Sequence, residues 1–353
     1  MPGRSFPPSR QILPAGVRQA RLAIRHRFGQ GGAMRGALLS VAVALGASGL
    51  VVLAAGVDPA AALRVLALGT LGSGEAVAYT LYYATSFLFA GLAVALAFQA
   101  GLFNIGGEGQ AMLGGLGAAL AALALDGWPA PWPALAGVGL AALFGSAWAL
   151  VPAWLQARRG SHIVITTIMF NFIAAALLTW LLAGPLTAPG GQAPESRAFA
   201  PSAWLPAVGH GPLNLSFLLA LLAAAAVAAL LWRTRWGYAL RVAGRNPDAA
   251  RYAGISPAGV TIAAMLLSGA LAGMVGVNEV LGVQHRLLLG FTGGAGFAGI
   301  AVALMGRNHP GGVVLAALLF GALAQGGSEL AFEFPALGRD LVVVIQGLVV
   351  LVA

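Results

Sequence analysis

Between two apolar stretches the chain reads Gly101-Leu-Phe-Asn-Ile-Gly-Gly-Glu-Gly-Gln110, a run that sets Asn104, Glu108 and Gln110 among four glycines. Two amides and one carboxylate at this spacing offer hydrogen bonds to a passing polar molecule; they do not make a nucleophile or a metal set. Non-helical backbone at membrane depth needs protein or a water-filled cavity to complete its hydrogen bonds. One reading therefore makes the run a broken helix bordering a translocation path, with Asn104, Glu108 and Gln110 as its polar lining. The other makes it a cytoplasmic turn with Glu108 in water.

A second polar island runs from Arg241 to Ile255 and carries a helix start. Asn246 can cap, Pro247 suits the first helical position, and Asp248 sets a negative charge at the positive end of the helix dipole. The pattern predicts a short cytoplasmic helix over 247–253, closed by Gly254 and offered to a partner inside the cell. Elsewhere the chemistry is thin. His309, in Arg307-Asn308-His309-Pro310, has no second histidine nearby except His285 on the opposite side, so the stretch reads as a turn with Pro310 starting a helix. The glycine run 293–296 lacks the strand of a nucleotide-binding loop and suits close helix packing or a re-entrant turn. Glu279 is an ionisable group at membrane depth and so a functional candidate, but it falls near the outer end of its span, where solvation accounts for it equally well. Glu329 and Glu333 are assigned to an outer loop with Arg339 and Asp340, without pocket residues around them for paired-carboxylate catalysis.

The elements that must position these residues are membrane helices. The chain has 353 residues, 59% hydrophobic and 8% charged, where a soluble domain is roughly a quarter charged. All 19 basic residues are arginine. The absence of lysine removes a P-loop lysine, a Schiff base and a lysine general base. The absence of cysteine removes disulfides and thiol chemistry. A net charge of +9 here marks topology and lipid contact rather than nucleic acid, because the arginines sit between apolar spans.

A span needs about 20 apolar residues. Ten candidates follow, at 37–57, 77–99, 110–125, 132–155, 162–184, 215–232, 259–283, 293–306, 310–328 and 339–353. With the N-terminus in the cytoplasm, only Arg64, Arg197, Arg286 and Arg339 fall outside, a strong positive-inside bias. The expected fold is all-α and polytopic: a basic disordered tail over 1–35 and a transmembrane domain over 36–353. The proline-rich outer segment Pro185 to Asn214 divides the spans into two sets of about five.

Three stretches together resemble one family. Gly101 to Gln110, Gly244 to Ile255 and Gly296 to Pro310 are similar, in order and spacing, to the permease subunits of bacterial ABC importers in the branched-chain amino acid, ribose and nucleoside group. The form Phe-Asn-Ile-Gly-x-Glu-Gly-Gln with Arg-Asn-His-Pro is most like the nucleoside-type permeases. The resemblance implies a non-enzymatic subunit of the bacterial inner membrane that imports nucleosides, carries no cofactor itself, and works with cytoplasmic ATPase subunits that use ATP and Mg. It also implies a second homologous permease subunit and an extracytoplasmic substrate-binding protein or lipoprotein. Asp248-Ala249-Ala250-x-x-x-Gly254 is similar to the Glu-Ala-Ala-x-x-x-Gly loop that contacts the ATPase, so Asn246, Pro247, Asp248, Ala249, Ala250, Arg251 and Gly254 become the coupling candidates, with Asp in place of Glu. The alternatives are a permease of the same group for simple sugars or branched-chain amino acids, and an ion-coupled carrier using Glu75, Glu108 or Glu279.

Overall fold

The computed structural model describes residue 46, residues 48–335 apart from 192 and 210, and residues 343, 344 and 347. A short helix α1, Ser48–Ala54, meets α2, Pro59–Leu71, at a bend of 116°. Asp58 fixes that corner, because its carboxylate accepts from the amides of Ala60 and Ala61 while Pro59 occupies the first turn, a strong helix start. The sequence reading had only a connection here.

α3, Gly74–Gln99, is the central helix. Ser73 caps it, and from Ala84 to Ala97 nearly every side chain is buried. Its small residues let neighbours approach, since apolar side chains gain nothing by leaving lipid and packing must come from close contact. Next in the chain come α4, Gly107–Ala124, α5, Trp132–Arg159, and α6, Ile163–Ala183, with α4 packed against both α5 and α6. α5 ends where it should, with Arg158 and Arg159 in its last turn and Gly160 in the left-handed conformation. The outer segment then leads to α7, Ser216–Arg233.

At the end that the arginine count assigns to the cytoplasm come α8, Arg235–Arg245, capped by Thr234, and α9, Pro247–Tyr252. α10, Pro257–Gly276, starts at Ser256 and runs on into a wider π-helical stretch, Val277–Gln284. α11, Ala295–Met305, has 11 residues. α12, Pro310–Glu333, is started by Pro310 and by His309, whose Nδ1 accepts from Gly311. Outward-facing residues such as Phe172, Trp180 and Leu222 are exposed and apolar, as a lipid-facing wall requires.

The fold is all-α and polytopic. Among the described residues, strand pairing is limited to isolated bridges at Glu195–Leu288 and Ala207–Asn214. Among the described residues six helices are long and apolar enough to cross, or seven if α1 and α2 count as one bent span, so the expected ten are not all found there. The expected span at 293–306 becomes α11, about 16 Å long at 1.5 Å per residue and so about half of a 30 Å hydrocarbon core. The expected spans at 37–57 and 339–353 lie partly and mostly outside the described residues, and so does the tail over 1–35. Glu329 and Glu333 are not in a loop, because α12 continues through both, and the Glu329 carboxylate accepts from Gln325 one turn earlier.

Candidate functional site

Three places concentrate polar side chains, and each is built by a break in a helix. The first is the start of α4. After α3 ends, residues 102–105 run without helix back into the bundle, and Asn104 is fully buried there. Its amide donates to Gln110 Oε1 and to Ser268 Oγ, both at 2.9 Å, and its Oδ1 accepts from the Gly106 amide at 2.9 Å. Ser268 in turn donates to the Ala93 carbonyl at 2.7 Å. Ser268 lies eleven residues into α10, so Asn104 sits about 17 Å from that helix's cytoplasmic end, near mid-depth. Asn171 of α6 completes the join, accepting from Gly109 at 2.9 Å and donating to the Ile105 carbonyl at 3.0 Å.

Glu108 is 5% exposed, so it does not lie in water as the reading of this run as a cytoplasmic turn required. Its carboxylate accepts from the Gly296 amide at 2.8 Å and from the Thr292 hydroxyl. Gly296 is in the first turn of α11, so a negative group meets the positive end of a helix dipole, a favourable arrangement where water is excluded. Gly293 and Gly294 take the left-handed backbone that turns the chain into α11. A Cβ on Gly296 would come within 2.3 Å of the Glu108 amide nitrogen. The N-termini of α4 and of the half-depth α11 therefore touch, glycine against glutamate.

The second place is a cavity of about 480 Å³ above this crossing. Its wall includes Tyr82, Ser86 and Phe87 of α3, Glu279 and Gln284 of the π-helical stretch, Phe291 and Thr292 before α11, and Ser328 of α12. These are the helix ends that the arginine distribution assigns to the outside. Glu279 is 6% exposed and not solvated at the interface as one sequence reading allowed. It accepts from the Tyr82 hydroxyl and from Ser86 Oγ at 2.7 Å, with the Asn278 amide at 3.5 Å. Asn278 is itself held by Ser216, which donates to its Oδ1 at 2.6 Å, and by Asn214 at 3.2 Å. The buried Oε1 of Gln284 has no hydrogen-bond partner. The π-helical widening is what brings Asn278 and Glu279 together against α3, a role such stretches often play at functional sites. A pattern of apolar periodicity carries no signal for it.

The outer segment closes over this end. Ser196 donates through its amide to the Leu287 carbonyl at 2.9 Å, Leu205 to Leu281 at 3.0 Å, and Arg286 pairs with Glu195 at 2.9 Å. Trp204 stacks on His285 with ring centroids 3.9 Å apart. Burial lowers the pKa of His285, because its charged form loses water.

The third place is cytoplasmic. Asn246 Oδ1 accepts from the amides of Asp248 and Ala249, both at 3.0 Å, and Pro247 begins α9 as the sequence predicts. Gly254 is left-handed, with φ +74°, so the helix closes there. Ala250 is fully buried and anchors the element, whereas Asp248 and Arg251 pair at 2.7 Å on the surface and Tyr252 is 95% exposed. α8 anchors this unit to the bundle, since a Cβ on Gly244 would meet the Gln99 carbonyl at 2.4 Å.

Of the expected path residues, Asn104 and Gln110 pair with each other, and Glu108 reaches the cavity only through Thr292. The residues that the sequence reading missed are Tyr82, Ser86 and Gln284, each an ordinary member of an apolar or outer stretch until the fold brings it beside Glu279.

A helix of half-depth length, a buried polar break at the start of α4, a polar cavity next to their meeting point and a short capped helix are the features of a membrane subunit that passes a solute. The chain belongs to the family described as branched-chain amino acid transport system / permease component, whose model matches residues 76–353. It is thus an ABC transporter permease and a multi-pass protein of the inner membrane. It is 37% identical to a glucose ABC transporter permease protein of Haloferax volcanii, covering 89% of this chain and 85% of that one. It is 36% identical to a guanosine ABC transporter permease protein of Bacillus subtilis, covering 84% and 86%. With a nucleoside ABC transporter permease protein of Lactococcus lactis the identity is 32%, covering 78% and 79%. No solved structure matches the chain.

Proposed function

We propose that this permease imports nucleosides, driven by a cytoplasmic ATPase pair that binds ATP and Mg, together with a second homologous permease and an extracytoplasmic substrate-binding protein or lipoprotein. Supporting the solute class are two relatives named for guanosine and nucleosides. The relative named for glucose supports sugar import as the second reading. The observation that carries the coupling is α9: a six-residue helix, capped at its start, anchored by buried Ala250 and presenting Tyr252, Asp248 and Arg251 to the cytoplasm. Closure of the ATPase pair would push α9, and with it α8, against the end of α3 at Gly101 and Gly244. The crossing of α4 and α11, held by Glu108, with Asn104 and Gln110 beside it, borders the path and moves between outward- and inward-open states.

Tyr252→Asp tests the coupling without touching the fold, since the side chain is almost wholly exposed. Gly254→Trp forces a bulky residue into left-handed backbone and tests the same element. Both variants should reach the membrane at normal levels, lose co-purifying ATPase, and lower nucleoside uptake about tenfold, the equivalent of about 1.4 kcal/mol of contact. Normal ATPase recovery and uptake in both would overturn the assignment.

A further inference from the structure

The cavity beneath the outer segment carries more acceptors than its own wall uses. A carboxylate has about four acceptor directions, and Tyr82, Ser86 and Asn278 occupy three on Glu279. Gln284 Oε1 is buried without a partner, and an orphaned buried acceptor in a native wall calls for a donor from elsewhere. The same wall holds the rings of Tyr82, Phe87 and Phe291. Among the described residues that line it there is no arginine, and the chain has no lysine. The site thus offers flat apolar faces, spare acceptors and one carboxylate, with no cation to balance a second negative charge. Its volume is that of a small-molecule pocket.

We infer that this cavity is a solute subsite of the permease itself, in which Glu279 and Gln284 accept from hydroxyls of a neutral ring compound and the aromatic rings flank its planar or apolar face. A nucleoside and a pyranose share that chemistry. A nucleotide does not, because its phosphate would face Glu279 unpaired, and a free amino acid fits less well, because Glu279 could accept from its ammonium but the lining holds no cation for its carboxylate. The inference deepens the import reading and rests on it for the solute class. It adds that the membrane subunit, and not the external binding protein alone, discriminates by charge and by hydroxyl groups. A site built to accept from a hydroxyl rejects the analogue lacking it more strongly than an apolar pocket rejects a missing methylene.

The cysteine-free chain allows a direct test. Ser328→Cys places one thiol in the cavity wall, and the full-length variant in cells is treated with an impermeant maleimide while adenosine, D-glucose, AMP, leucine or 2′,3′-dideoxyadenosine is added. Adenosine or glucose should slow labelling, whereas AMP, leucine and the dideoxy compound should slow it about tenfold less at equal concentration. Glu279→Gln in the same background should abolish the protection, and Gln284→Leu, at a less buried position, serves if the glutamate variant does not reach the membrane. Protection that persists in both variants, protection by AMP equal to that by adenosine, or no protection by either neutral compound would overturn the subsite. Uptake of labelled adenosine and glucose, measured in parallel, reports separately on the import reading. Uptake without protection removes the subsite alone, and protection without uptake upholds the subsite while removing the transport assignment.

Discussion

Glu108 and Glu279 are both buried carboxylates within the bundle, and their partners separate their roles. Glu108 accepts from a backbone amide at a helix start and from Thr292, so it holds two elements together. Glu279 accepts only from side chains, on a cavity wall. Removing Glu108 leaves a buried amide without an acceptor, which costs on the order of 3 kcal/mol. At the outer surface His285 gives a pH prediction. Its pKa is lowered in the folded protein from about 6.5 by burial, so the unfolded chain takes up a proton more readily than the folded one. The stability linked to it is complete above the ordinary value and is lost as pH falls below it. The thermal midpoint of the purified permease should drop between about pH 7.5 and about pH 5.5. His285→Asn, which keeps a side chain tolerant of left-handed backbone, should flatten that drop; an unchanged slope would show that other groups carry it.

At the scale of elements, the molecule depends on two helices that begin in mid-membrane. α4 and α11 start beside each other because both begin with glycine-rich turns, and Gly296 lets the α11 backbone lie against Glu108. Gly296→Ala cannot be accommodated without parting the two helices, whereas Gly139→Ala meets open space. The first should lower the thermal midpoint steeply or abolish the monodisperse peak in detergent, and the second should raise or leave unchanged the midpoint, as alanine favours a helix over glycine by about 1 kcal/mol. Equal midpoints for the two would mean that the crossing is not a close contact. The glycine runs were visible in the sequence at both places, although 293–306 read there as a span of its own. The sequence did not show that the two breaks face each other, since residues 108 and 296 lie far apart along the chain and meet only in the folded bundle.

For the whole molecule, orientation follows from charge. Three surface ion pairs join residues that the arginine count puts on one side: Arg197 with Asp126 and Arg286 with Glu195 outside, Arg251 with Asp248 inside. Each pair is worth little as stability, but none crosses the bundle. A single cysteine at exposed Ala198 should label with an impermeant maleimide from outside intact cells, and one at exposed Ala249 only after the membrane is opened. The reverse pattern would invert the topology.

The division between sequence and structure is physical. Local free energies made the apolar helices and the capped α9 legible and supplied an expected orientation: transfer of apolar side chains from water, the interfacial preference of arginine, and the short reach of Asn246, Pro247 and Gly254 are all properties of contiguous residues. The run Asn104 to Gln110 was legible as a polar interruption, but contiguous residues left a broken helix and a cytoplasmic turn both open, and only the burial of Asn104 and Glu108 separates them. The partners of those polar groups were decided only in three dimensions. Glu279 read as an interfacial charge because its hydrogen bonds to Tyr82 and Ser86 span nearly two hundred residues of chain, and the π-helical widening that aims it has no periodic signature. Glu329 and Glu333 read as loop because two charges ended the apolar pattern, yet α12 keeps its backbone hydrogen bonds through both. In a bundle where lipid and protein are equally apolar, hydrophobicity places a segment in the membrane, and only complementary glycines and hydrogen bonds decide what it packs against.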